Sequence, residues 1–102
     1  MRVDFSFNKD LVEANGYTIE HIYDTIKREF AEKNIVCIED GEILSFSGGK
    51  EKNDFANMWI IILQLTSEDW FLDFATSCIW RADNDKWENV LRQAKENRKY
   101  NI

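Results

Sequence analysis

The sequence predicts a single α+β domain in which an antiparallel sheet carries helices on at least one face. Three observations lead to this prediction. Hydrophobic periods typical of strands and of helices alternate along the chain. An Asp40-Gly41 pair separates two strand-like segments, and Asp-Gly is a strong hairpin signal. The length of 102 residues is typical of one domain, which we expect to span residues 1–102.

The first third of the chain predicts a strand, a helical turn and a long helix. In residues 2–8, Val3, Phe5 and Phe7 alternate with polar residues, as in a half-buried strand. Residues 8–16 predict a short helical turn that ends at Gly16. Thr18 is a good N-cap for a helix that runs to about Lys33 and stops at Asn34. The apolar stripe of that helix comprises Ile19, Ile22, Tyr23, Ile26 and Phe30.

The middle of the chain predicts a hairpin and a second long helix. Residues 35–39 and 42–47 read as strands joined at Asp40-Gly41, and residues 48–53 as a polar loop. Asn53 or Asp54 then caps a helix that is apolar almost all the way round, so we expect it to be the most buried element. Its expected inward stripe comprises Phe55, Met58, Trp59, Ile62 and Leu63.

The last third is less clearly patterned. Residues 66–73 combine a segment similar to a capping box with a two-residue period, so we expect a loop or helical turn to about Asp69 and a strand within 71–81. A final helix is expected to start at Asn84 or Asp85. Its expected inward residues are Trp87, Val90, Leu91 and Ala94.

The order of the first six long elements matches the βαββαβ pattern of ferredoxin-like domains, with an added C-terminal helix. The two helices of this pattern then both cover one face of the sheet. The final helix or a second subunit could cover the other face.

Composition excludes several classes of protein. The longest apolar stretch, Met58–Leu63, is far shorter than the ~20 residues of a membrane span, and the charged start is unlike a secretory signal. Two cysteines far apart in sequence, Cys37 and Cys78, do not form a disulfide framework or a tetrahedral metal site. We therefore expect a cytoplasmic protein with two reduced, buried thiols and no contact with membranes.

The sequence offers no catalytic or cofactor-binding motif. The single histidine, His21, has no serine or cysteine at a neighbouring helical position. Gly48-Gly49-Lys50 lacks the earlier glycine and the following Ser or Thr of a phosphate-binding loop. No acidic run has the spacing of a calcium loop. We therefore predict a non-enzymatic protein without a metal or other cofactor.

Charge is unevenly distributed over the chain, which carries a formal net charge of −6. Residues 1–88 hold 9 Lys/Arg against 18 Asp/Glu, a net of −9, and residues 89–102 hold 4 against 1, a net of +3. Direct nucleic-acid binding is therefore disfavoured, whereas a protein partner with a basic surface is favoured. The candidate partner-binding residues are Glu39, Asp40, Glu42, Glu68, Asp69, Asp73, Asp83 and Asp85.

Three segments, Met1–Thr18, Asp54–Trp59 and Ser77–Trp80, resemble those of short uncharacterised proteins carried on conjugative elements and plasmids of Gram-positive gut bacteria. The likeness covers structural segments, so it transfers no functional residue. Small acidic proteins of such elements include anti-CRISPR inhibitors, which bind a nuclease and block its nucleic-acid sites. The resemblance therefore implies an inhibitor of that kind.

Three functions follow as hypotheses. The first is a non-enzymatic acidic protein that binds a basic, nucleic-acid-handling protein as an inhibitor. The second is a homo-oligomer in which another copy buries an open sheet face lined by apolar residues such as Phe46 or Trp80. The third is a small ligand-binding protein or enzyme that uses Cys37 or Cys78 with His21 or nearby acids.

Overall fold

The computed structural model describes residues 1–100, with five strands and five helices; the last two residues of the expected 1–102 domain lie outside the described residues. The strands are β1 (Arg2–Phe7), β2 (Val36–Asp40), β3 (Leu44–Ser47), β4 (Ala75–Arg81) and β5 (Trp87–Asn89). The helices are α1 (Lys9–Ala14), α2 (Ile19–Glu32), α3 (Asp54–Thr66), α4 (Asp69–Phe74) and α5 (Val90–Tyr100). The predicted α+β class is therefore confirmed.

The five strands form one antiparallel sheet in the order β2-β3-β1-β4-β5. Strand β1 lies at the centre, where Phe5 pairs with Leu44 on one side and with Cys78 on the other. Strands β2 and β5 are the two edges. Because four strand spacings separate the edges, they lie about 19 Å apart.

The core lies between the sheet and the helices, and aromatic rings fill its centre. The ring of Phe5 packs edge-on against Phe30, Phe46 and Phe71, with centroids 5.9–6.1 Å apart. Phe30 and Phe46 stack at 3.9 Å. All four rings are at most 1% exposed, so α2, α4 and β3 meet on the same face of β1.

The first three predicted elements are confirmed, and their ends follow the expected capping chemistry. The Thr18 side chain accepts a hydrogen bond from the His21 amide at the start of α2. Just after this helix, Asn34 has a left-handed backbone conformation (φ 58°), which asparagine tolerates better than most residues. The hairpin at Asp40-Gly41 is also confirmed, but its loop has three residues, 41–43, and β3 begins at Leu44 rather than at residue 42.

In the last third, the strand expected within 71–81 is confirmed as β4. The helical turn expected to about Asp69 instead extends over residues 69–74 as α4, because Phe71, Leu72 and Phe74 reach the core from it. The final helix begins at Val90 and not at Asn84 or Asp85, which lie in a turn between β4 and β5. This helix, α5, contacts β4 and α4, and Arg98 pairs with Asp73 of α4.

The sheet face opposite the helices is polar. Ser45 and Asp4 lie on it, and the apolar residues expected there, Phe46 and Trp80, are instead 1% and 4% exposed in the core. The alternation of side chains along a strand explains the difference, because Phe46 and Trp80 share the face of Val3, with which both pair. The predicted apolar open face is therefore wrong.

Candidate functional site

The most prominent exposed apolar surface belongs to α3. Phe55, Ile60 and Leu63 of this helix are 55%, 49% and 61% exposed, and Trp59 is half-buried. The prediction that Phe55 and Leu63 face inward, in the most buried element, is therefore wrong. The opposite side of α3 holds the buried residues Met58, Ile61, Ile62 and Leu65. The helix is apolar almost all the way round, with Asn57 and Gln64 as polar exceptions, yet the rest of the described chain covers only about half of it.

A groove of about 640 Å³ runs between α3 and the β4–β5 hairpin. Its floor is Trp80, whose ring lies 5.9 Å from that of Phe55 and 5.0 Å from that of Trp59. Trp87, which the sequence placed in the core, lines the hairpin wall and is 61% exposed. The aromatic composition of this groove is typical of surfaces that bind proteins.

A second cavity of about 370 Å³ lies farther along the same helix, between α3, α4 and α5, where Leu63 and Leu72 contribute apolar walls. Phe55, Trp59 and Leu63 follow each other at intervals of four residues, so they lie on one side of α3. The two cavities therefore share one helical wall. We call this combined surface the α3 surface and include in it Ile60, which lines neither cavity but is exposed one turn before Leu63. Its apolar residues are Phe55, Trp59, Ile60, Leu63 and Trp87.

The edges of the α3 surface are mainly acidic. Asp69 lines the second cavity, and Asp85 and Glu88 line the first. None of these three carboxylates has an ion-pair partner within residues 1–100. Two cations line the same cavities, Lys86 the first and Arg98 the second, and Arg98 is paired with Asp73. The apolar centre and acidic edge together fit an apolar segment flanked by cations.

The structure distributes the eight predicted partner-binding carboxylates over three separate places, although all eight are exposed. The group at the β2–β3 hairpin consists of Glu39, Asp40 and Glu42, the group at α4 of Glu68, Asp69 and Asp73, and the group at the β4–β5 turn of Asp83 and Asp85. The two hairpins lie at opposite edges and opposite ends of the sheet, so these groups do not form one patch.

Half of these carboxylates already have partners within the chain. Asp40 pairs with Lys27, and Asp83 pairs with the amino terminus. Glu39 lies 3.6 Å from Arg2, and Asp73 lies 3.2 Å from Arg98. An ion pair reduces the charge that a partner protein would meet. Glu42, Glu68, Asp69 and Asp85 have no ion-pair partner in the part of the chain that the structure describes.

The polar sheet face carries a charged cluster that sequence reasoning did not identify. The Asp4 carboxylate accepts hydrogen bonds from Arg2 Nε at 2.6 Å, Arg81 Nε at 2.9 Å and Ser45 Oγ at 2.7 Å. Arg2 and Arg81 lie directly opposite each other on paired strands, where like charges repel. Burial raises the pKa of Asp4, but the bonds from Arg81, Arg2 and Ser45 outweigh burial and hold this pKa below its ordinary value.

The loop that contains Gly48-Gly49-Lys50 presents its backbone N–H groups to Asp54, at the start of α3. The Asp54 carboxylate accepts from the amides of Gly49 at 3.0 Å and Glu51 at 3.1 Å. The amide of Glu51 contributes most to lowering the pKa of this carboxyl, burial opposes the effect, and the net pKa is below its usual value. These loop donors are thus satisfied by the chain itself and not directed at a phosphate ligand.

The two thiols and the histidine lie on different elements. Cys78 is fully buried in β4, and burial raises its pKa to about 12. Cys37 is exposed on the edge strand β2, so the expectation that it is buried is wrong. His21 is exposed on α2, where its ring stacks with Tyr17 at 6.3 Å. Within residues 1–100, no three His, Cys, Asp or Glu side chains are grouped so that they could hold a metal ion.

Comparisons with protein-family models, with curated proteins and with solved structures found no match. Within the described residues, no helix has both the length and the apolar content that crossing a bilayer requires.

Proposed function

We propose that this chain is a non-enzymatic protein, encoded by a mobile element and active in the cytoplasm, that binds a basic nucleic-acid-handling protein and inhibits it. One observation carries the proposal: the outward half of α3 exposes the large apolar side chains Phe55, Ile60 and Leu63. A helix that is apolar all round is normally buried, and a contiguous exposed apolar patch is typical of an interaction site. A partner protein would cover this half.

The charges favour a basic partner over a neutral one. The acids at the edge of the α3 surface, Asp69, Asp85 and Glu88, outnumber the two cations that line the same cavities, Lys86 and Arg98. Arg98 is already paired with Asp73. The formal net charge of −6 adds long-range attraction for cations. Proteins that handle nucleic acids carry cationic surfaces for phosphates, and an acidic protein seated there competes with the nucleic acid.

The arrangement of the sheet is consistent with the predicted ferredoxin-like architecture. Strands β1 to β4 have the spatial order β2-β3-β1-β4, and helices connect β1 to β2 and β3 to β4. We propose that these elements are a βαββαβ unit to which α1, α4, β5 and α5 are added. The added strand β5 extends the sheet of this unit, and the β4–β5 hairpin supplies the second wall of the groove beside α3.

The proposal is tested by immobilising the protein, applying a nuclease-treated lysate of a Gram-positive host and purifying the proteins that are retained. Binding of each purified candidate is then measured by calorimetry in 50 and 500 mM salt. We expect a basic protein whose affinity falls at high salt and whose nucleic-acid binding is blocked by this chain. Retention of acidic proteins alone, or an affinity independent of salt, would contradict the proposal.

Two matched variants locate the contact. Leu63→Ser removes an apolar side chain that is 61% exposed on α3, and Leu11→Ser removes one that is 39% exposed on α1. We expect Leu63→Ser to weaken binding at least tenfold, since apolar anchors dominate interfaces, and Leu11→Ser to change it less than twofold. Equal effects of the two substitutions would show that α3 is not the binding surface.

A further inference from the structure

The edge strand β2 has a second unpartnered surface. All five of its residues are exposed, and Val36 and Ile38 are 50% and 46% exposed. Its inner side pairs with β3, whereas no strand of the described chain pairs with its outer side. An edge strand of this kind offers backbone N–H and C=O groups that another strand can bind.

The two ends of β2 carry opposite charges. At its start, Lys33, Lys50 and Lys52 line a cavity of about 460 Å³, together with one exposed acid, Glu51. At its other end lie the hairpin carboxylates Glu39, Asp40 and Glu42. Strand β2 therefore has a basic end, an apolar middle and an acidic end, over about 13 Å of strand.

We propose that a second copy of this chain pairs with β2 in antiparallel orientation, across a two-fold axis close to Cys37, and joins the two sheets. Antiparallel pairing places the basic end of one strand beside the acidic end of the other. The two-fold repeats that contact, so each dimer contains it twice. Because the charges of β2 are complementary to those of a second β2 in antiparallel orientation, a second copy is favoured over an unrelated strand.

The local charges are suited to such pairing. Glu39 and Asp40 interact with Arg2 and Lys27 of their own chain, which reduces repulsion between the two hairpins. Lys33 and Glu42 have no ion-pair partner within residues 1–100, so they are available to each other across the axis. The bulge between Cys37 and Glu39 keeps the paired segment short. We therefore expect a weak dimer that forms at high protein concentration.

Two single substitutions with exchanged charges test the orientation. Lys33→Glu and Glu42→Lys each place like charges at both contacts of a homodimer, and each should weaken dimerisation at least tenfold in sedimentation experiments. An equimolar mixture of the two variants restores opposite charges at both contacts and should recover wild-type affinity. A wild-type protein that remains monomeric at 1 mM would overturn the proposal, and so would a mixture that fails to associate.

Cys37 provides an independent test of where the axis lies. A short bis-maleimide should link two copies through Cys37, whereas the fully buried Cys78 should not react in the folded protein. The Cys37→Ser variant should give no linked dimer. Lys33→Glu should give several-fold less, although its thiol is unchanged. Equal cross-linking of wild type and Lys33→Glu would show that the linked species comes from random collisions and would overturn the proposed pairing.

Discussion

Asp4→Asn is the substitution that most directly tests how the polar sheet face is held together. Asp4 joins two guanidinium groups that face each other on paired strands, those of Arg2 and Arg81. The asparagine side chain has almost the same shape, so the substitution removes charge without leaving a cavity. It leaves two like charges side by side, with one neutral acceptor where two anionic oxygens accepted three hydrogen bonds.

The loss of stability follows from those hydrogen bonds. A hydrogen bond to a charged group contributes about 1.5–3 kcal/mol, and removing one partner of a fully buried pair costs about 3–5 kcal/mol. The side chains of Arg2 and Arg81 are 41% and 53% exposed, so water compensates part of the loss. We expect Asp4→Asn to lower the free energy of unfolding by about 2–3 kcal/mol. In urea, with an m-value of about 2 kcal/mol/M, the midpoint then falls by roughly 1 M.

The matched control is Asp73→Asn. Asp73 forms a 3.2 Å ion pair with Arg98 in which both side chains are about half exposed, and such pairs contribute only about 0–1 kcal/mol. Urea unfolding followed by tryptophan fluorescence should separate the two variants clearly. A difference below about 0.5 kcal/mol would refute the reasoning, because the Asp4 cluster would then behave like an ordinary exposed ion pair.

Asp4 should also contribute to the pH dependence of the free energy of unfolding. The folded-state pKa of Asp4 lies below its ordinary value, so this carboxylate stabilises the fold at neutral pH, and that contribution is lost as the pH falls through the folded-state pKa. Asp4→Asn should therefore remove part of the acid-induced loss of stability that the wild type shows below about pH 4. An identical pH dependence of wild type and variant would contradict the assignment.

Three further outcomes are expected. Phe5→Ala should destabilise the fold by about 3–5 kcal/mol in the same urea assay, because three other aromatic rings contact this fully buried ring. Gly48→Ala should cost about 1–3 kcal/mol, because its Cβ would lie 2.6 Å from Sδ of the buried Met58. Titration with a thiol reagent should modify only Cys37 in the folded protein, and both thiols once the chain is unfolded, since Cys78 is buried and its pKa is raised to about 12.

Local signals in the sequence were sufficient for the first half of the fold. Thr18, Asn34 and the Asp40-Gly41 pair act on their immediate neighbours, so their effects can be derived without knowing the tertiary structure. The segment 69–74 has no such local signal. Phe71, Leu72 and Phe74 are compatible with a helical turn or with a strand, and packing against β1 determines which one forms. The three-residue strand β5 is too short to show a period of its own.

The candidate site was harder to predict because exposure depends on what the rest of the chain covers. The pattern of α3 correctly predicted a helix with apolar residues on all sides, but only the tertiary structure shows that Phe55 and Leu63 are left uncovered. The spacing of the carboxylates in the sequence likewise does not show that the two hairpins that carry most of them lie at opposite edges and opposite ends of the sheet. For Asp4, alternation predicted its side of the strand, whereas its contact with Arg81 depends on pairing 77 residues away.

Dimerisation through β2 would change how the α3 surface binds an immobilised partner. The α3 surface lies beside the β4–β5 hairpin, and the proposed dimer forms at β2, the opposite edge of the sheet from β5. A dimer formed through β2 would therefore present two α3 surfaces and bind an immobilised partner at two points. Lys33→Glu should then speed dissociation from a densely coated sensor surface while leaving the affinity in dilute solution unchanged. If Lys33→Glu instead weakened binding to the sensor surface and binding in dilute solution equally, β2 would itself contact the partner. The edge strand and the α3 surface would then belong to one binding site.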